Sequence, residues 1–140
     1  ELHDRHVDGE QALNTVPEPE DRRRARHIVT ENRRGLPTVA AVGDNDFGEM
    51  GRLLTESHAS MRDDFEITTE HLDLIADTAV AAGALGARMT GGGFGGCVIA
   101  LVSSARADAV RDAVLVALDR AGHRPPTVSH TRPGPGAGPW

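Results

Sequence analysis

A chain of 140 residues is long enough for one domain with a packed core, since a domain of this size buries about two thirds of the surface its unfolded chain exposes. Its 21 acidic and 15 basic residues leave a net charge of −6, and every basic residue is an arginine, a balance that argues against a polyanion or an anionic membrane as main partner. The longest apolar run is far below the ~20 residues of a membrane helix, no signal-peptide pattern follows Glu1, and a lone cysteine cannot build a disulfide framework, so a reducing, cytoplasmic location is the expectation.

In chain order, residues 1–17 show no sustained periodicity and read as an irregular segment. The stretch VPEPED contains Pro19, well placed for the first turn of a helix opening near Glu20. Ala25, Ile28, Val29 and Asn32 recur at helical spacing as its inward stripe, and Gly35 and Pro37 predict its end. Asp46 and Glu49 have the pattern of a capping box for a second helix, with Phe47, Met50, Leu54, His58 and Met61 on its buried face. After the acidic break RDDFEIT, Thr69 caps a third helix running to about Ala84. Residues 97–102 read as a buried strand, and residues 105–121 as a helix with Val110, Val114, Ala117 and Leu118 inward. Residues 127–131 read as a weak strand, and RPGPGAGPW as a mobile tail. Four helices and two strands make an α+β layer whose sheet is expected to gain strands from elsewhere, because two strands rarely stand alone.

Between the third helix and the strand lies the loop of ARMTGGGFGGCVIALV, where five of the six positions 91–96 are glycine. Each glycine costs roughly 0.5–1 kcal/mol relative to alanine in lost backbone freedom, so five together need a reason. Either the backbone takes positive φ or something approaches it closely. Gly91, Gly93 and Gly96 also fit a dinucleotide fingerprint, but that motif needs a strand before the loop and a helix after it, and here the order reads as reversed. A Walker loop is excluded by the absence of any lysine. Whatever the loop does, it does with backbone amides, which form concave nests suited to phosphate oxygens or to a neighbouring phosphate loop.

Other candidates are weaker. The run DRRRARHIVTENRR suggests nucleic acid, yet it is flanked by Glu18, Glu20, Asp21 and Glu31 and has no interleaved aromatic residues, so it reads as a solvated helix face. His58 reads as a hydrogen-bonded core histidine, because no second catalytic group stands near it. Asp63, Asp64 and Glu66 lack a second set of metal ligands. Cys97, at the start of an apolar strand, reads as a buried structural residue.

The stretch at residues 86–102, with Met89, Thr90, Phe94 and Cys97 besides the glycines, resembles the third signature motif of the GHMP small-molecule kinases, in their galactokinase branch. RRRARHIVTEN (22–32) and ESHASMRDDFEITTEHLD (56–73) resemble the same branch at the family's spacing. Phe65 stands where galactokinases usually have tyrosine and Glu70 where they have proline. The family's first signature, with its sugar-binding carboxylates, its second, the serine-rich phosphate loop, and its catalytic aspartate with an arginine partner cannot be found.

The resemblance therefore implies a galactokinase C-terminal domain at residues 18–132, with helices packed on a small antiparallel sheet and a tail at 133–140. It implies a parent enzyme that uses ATP and Mg2+ to phosphorylate galactose to galactose 1-phosphate, galactose and ATP being met through an N-terminal domain. It places Thr90, Gly91, Gly92, Gly93, Phe94, Gly95 and Gly96 near the phosphates, with no catalytic residue and no metal ligand in this chain. Alone, the chain is expected to be inactive and to bind ATP poorly. Replacing Gly92 or Gly93 by a bulky residue is expected to depress turnover with little change in stability. The alternative reading is a non-catalytic kinase-like sugar sensor or an interaction domain.

Overall fold

The computed structural model describes residues 9–132 and residue 134. The predicted tail and the first eight residues of the predicted irregular segment lie otherwise outside the described residues. The order is α1 (Gly9–Thr15), α2 (Pro19–Asp44), α3 (Phe47–Ser60), a π-helical turn (Met61–Phe65), α4 (Glu70–Ala81), β1 (Gly86–Thr90), β2 (Cys97–Leu101) and α5 (Ala107–Arg120).

Local chemistry fixes several of these ends. Pro19 sits in the first turn of α2, where a missing N–H costs nothing. The side chain of Asp46 accepts the Glu49 N–H at 3.0 Å to start α3, and Thr69 Oγ1 accepts the Leu72 N–H at 3.4 Å to start α4. α2 ends at Asn45, in the left-handed conformation (φ 55°) that asparagine tolerates.

β1 and β2 form an antiparallel hairpin, with Gly86 opposite Leu101 and Thr90 opposite Cys97. Its inner face meets α4 and α5 in a cluster of Ala76, Ala79, Ala84, Ala87, Val110, Val114 and Leu118. A second cluster joins Met61, Leu72 and fully buried Met89, with Ile67 and Val98 packed against it. The glycine loop is thus carried on a strand whose side chains anchor the core. α3 crosses β1 at Gly51 and Gly86, where a Cβ on Gly86 would stand 1.9 Å from the Gly51 carbonyl oxygen. Among the described residues, no helix is long and apolar enough to cross a membrane.

Several expectations are corrected. Part of the N-terminal segment is helical, as α1. α2 does not stop at Gly35 or Pro37. Proline cannot feed an N–H into the helical ladder and costs about 3 kcal/mol inside a helix, but Gly35, Leu36 and Pro37 are exposed, so the gap in the ladder lies where solvent can reach it. The stripe expected to face inward on α2 does so only in part: Ala25 and Val29 are half-buried, but Asn32 is exposed, Ile28 is 52% exposed, and the buried positions are His27 and Ala41. Polar contacts from Arg24, Arg26 and His27 add to this packing. On α3, Phe47 is exposed, and Leu53 and Ser57 are buried beside His58.

A strand, β1, precedes the glycine loop where the third helix was expected to lead into it, so the order is strand, loop, strand; no helix follows directly, and the exclusion of a dinucleotide fingerprint stands. β2 is mostly exposed rather than buried, and Cys97 is exposed, because it pairs with Thr90 at the open end of the hairpin. Residues 127–131 form no strand.

Candidate functional site

The loop of residues 91–96 projects from the end of the hairpin. Gly91, Gly93, Gly95 and Gly96 all have φ between 92° and 145°, and Phe94 has φ 55°. An aromatic residue in this region is strained, and here its ring is 77% exposed. Gly93 lies against Ile67, where an added Cβ would stand 3.0 Å from the Ile67 Cβ and 3.1 Å from its carbonyl oxygen. Gly92 differs from its neighbours. Its φ is not positive, and a Cβ there would meet nothing within 4 Å.

The Phe94 N–H donates to Ile67 O at 2.7 Å, while the amides of Gly91, Gly92, Gly93 and Gly95 find no main-chain acceptor among the described residues. Exposed donors on a fixed, side-chain-free backbone are what a phosphate or a phosphate-binding loop needs from a partner surface.

Below the loop lies the π turn. It closes with Glu66 in the left-handed conformation (φ 56°), its N–H donating to Met61 O, and Ile67 N also donates to Met61 O at 3.1 Å. α2 holds this turn from the side. Arg24 Nη1 donates to Asp64 O at 3.0 Å, and its Nη2 reaches Glu66 at 2.5 Å and Glu20 at 3.1 Å. Arg23 meets Glu66 at 3.5 Å and Arg26 meets Asp64 at 2.9 Å. The Arg24 hydrogen bond holds the Glu66 carboxyl below its ordinary value. His27 stacks on Phe65 with ring centres 4.6 Å apart, and its Nδ1 is 3.0 Å from Ser60 Oγ.

Two motif blocks that sequence reasoning treated separately therefore meet in space. The arginine cluster is explained by this, since Arg23, Arg24, Arg26 and Arg34 pair with carboxylates of their own chain. So are the clustered carboxylates: Asp63 pairs with Arg62, Asp64 with Arg26, and Glu66 with Arg24. Among the described residues no three His, Cys, Asp or Glu side chains converge as a metal site.

His58 holds the other root of the loop. Its Nδ1 accepts the Met89 N–H at 3.1 Å, which requires the proton to sit on Nε2. Nε2 lies 3.1 Å from Asp73 Oδ1, near enough for attraction but off the hydrogen-bonding line. Burial outweighs Asp73 and lowers the His58 pKa below its ordinary value, so the neutral acceptor is the resting form. Sequence reasoning placed His58 in the core correctly; its partner on the strand was hidden because β1 itself was not seen.

A family model for the GHMP kinases C terminal matches residues 38–117. The chain belongs to this family. Galactokinase from Mycobacterium tuberculosis (strain ATCC 25618 / H37Rv) is 60% identical over 126 residues, covering 90% of this chain and 35% of the relative. Galactokinase from Streptomyces coelicolor is 48% identical over 133 residues, covering 94% and 34%. Among solved structures, Lactococcus lactis galactokinase complexed with galactose has a TM-score of 0.78 and 41% identity, covering 84% of this chain and 31% of that one. L. major mevalonate kinase in complex with R-mevalonate has a TM-score of 0.50 and 28% identity, covering 81% and 32%.

This GHMP-kinase chain spans about a third of the length of the curated relatives it matches. The α+β architecture with helices on a small antiparallel sheet is the expected one for the family.

Proposed function

We propose that this chain is the C-terminal part of a galactokinase, in which ATP phosphorylates the anomeric hydroxyl of galactose. Residues 90–96 then close the phosphate end of the site from across a domain boundary, and residues 18–132 form the unit that carries them. The observation that supports this most is Gly92. Neither φ nor packing inside the chain demands a glycine there, so its bare backbone is read as room for something outside the chain. The unpaired amides beside it suit phosphate oxygens or the loop that binds them.

ATP supplies the transferred phosphoryl group, whose passage depends on fixed donors and neutralised charge more than on covalent chemistry. This chain's own part is to fix those donors. The Phe94 amide is tied down to Ile67, while the amides of Gly91, Gly92, Gly93 and Gly95 have no main-chain acceptor among the described residues. The exposed Phe94 ring is the natural contact with the remaining domain, since covering it removes apolar surface from water. Among the described residues the carboxylates nearest the loop are engaged by arginines and do not fit magnesium. The exposed thiol of Cys97 suits a reducing, cytoplasmic compartment, and the internally paired arginines leave little basic surface for nucleic acid.

The test is Gly92→Val in a full-length kinase that carries this domain. Turnover of galactose with ATP is expected to fall at least tenfold while thermal stability stays unchanged. Unchanged turnover would refute the placement of the loop. The isolated chain is expected to bind ATP only weakly, and micromolar affinity by calorimetry would contradict a site shared with another domain.

A further inference from the structure

We infer that Arg24 and Glu66 are positioning residues for the glycine loop, acting through the π turn and the main chain of Ile67. This rests on the reading of residues 91–96 as the phosphate-facing loop and adds the device that holds it.

The path is short and every link is a directed contact. Arg24 is in α2 and bridges two points of the π turn with separate nitrogens, Nη1 to Asp64 O and Nη2 to the Glu66 carboxylate. Glu66 is the residue that needs such a hold. Its left-handed backbone costs a non-glycine residue about 1–3 kcal/mol and persists only where surrounding structure imposes it. That conformation reverses the chain after Phe65 and places the carbonyl of the following residue, Ile67 O, at the loop, where it receives the Phe94 N–H at 2.7 Å. The Ile67 side chain lies under Gly93 on the same side. If Glu66 relaxes, Ile67 O swings away, and the loop loses its internal hydrogen bond and the support beneath Gly93. The loop's other root, Met89 N–H on His58, belongs to a different contact and is left in place.

This separation makes the idea testable without reference to catalysis. Amide hydrogen exchange on the chain itself reads Phe94 and Met89 side by side. The variants are Arg24→Met, which keeps helix propensity and most of the side chain's bulk, and Glu66→Met, which removes the carboxylate while keeping the side chain's length and giving no added preference for the left-handed backbone. Both are expected to speed exchange at Phe94 at least tenfold while leaving Met89 within about twofold. Phe94 exchange within twofold of the parent would overturn the inference. So would equal acceleration at both amides, which would show a general loss of stability instead of a specific hold. Because the readout is local order, it stands or falls separately from the turnover of Gly92→Val.

Discussion

Gly51 on α3 and Gly86 on β1 meet backbone to backbone: a Cβ on Gly51 would lie 2.2 Å from Leu85 O, and one on Gly86 would lie 1.9 Å from Gly51 O. This crossing brings His58, two turns further along α3, level with Met89, three residues further along β1. A glycine pair far from the loop thus sets the depth at which the loop's supporting strand is seated.

Alanine at either position is expected to destabilise the chain by about 3 kcal/mol or more, because the clash is with main chain that cannot rotate aside. Thermal or denaturant unfolding checks this. Loss of less than about 1 kcal/mol would mean that the crossing tolerates separation.

Within the loop, the structure divides glycines that the sequence presents alike. Gly92→Ala in this chain is expected to change stability by less than about 0.5 kcal/mol. Gly93→Ala is expected to cost more than 1 kcal/mol, roughly, since it combines φ 92° with contact against Ile67. The expectation that a bulky residue at Gly93 would spare stability is therefore withdrawn, and only Gly92 remains a clean probe. Parallel unfolding curves of the two variants decide the matter.

His58 gives a pH signature. Its folded pKa lies below the unfolded value, so the unfolded chain binds the proton first. Stability is full above about pH 6.5 and is lost as pH falls from there through the lower folded pKa. His27, also lowered by burial, acts in the same direction. His58→Leu leaves the buried Met89 N–H without its acceptor and is expected to cost about 1–3 kcal/mol near pH 7.5. It should also flatten the decline toward pH 5.5, because one of the two buried histidines no longer titrates. Melting temperatures across that range test both effects, and an unchanged slope would assign the decline to other groups.

How far the sequence carried these conclusions depends on how local each signal is. The caps Asp46 and Thr69 and the inward residues Val110, Val114 and Leu118 were legible, since each depends on neighbours a few residues away. β1 was not: GARMT is short and opens with Gly86 and Ala87, poor strand formers that are placed there by Gly51 and the core. α2 ran past Pro37 although an interior proline is costly; its far half is exposed, so the broken helical bond adds no burial penalty. Its true inner face was hidden because it is polar, with His27 against Phe65 and Arg24 against Glu66, and hydrophobic spacing cannot report an ion pair formed 42 residues away. The glycine loop was visible at once, whereas the distinction between Gly92 and Gly93 needed the position of Ile67.

The central claim is that the bare amides of residues 91–96 face a nucleotide's phosphates, or the segment that binds them, from across a domain boundary. A structure of a full-length kinase carrying this domain, solved with a non-hydrolysable ATP analogue, tests it most directly. The account predicts the Gly92 main chain in contact with the triphosphate or its supporting loop, with neighbouring amides at about 3 Å from their acceptors. Finding residues 91–96 in open solvent, or against a surface remote from the nucleotide, would contradict it.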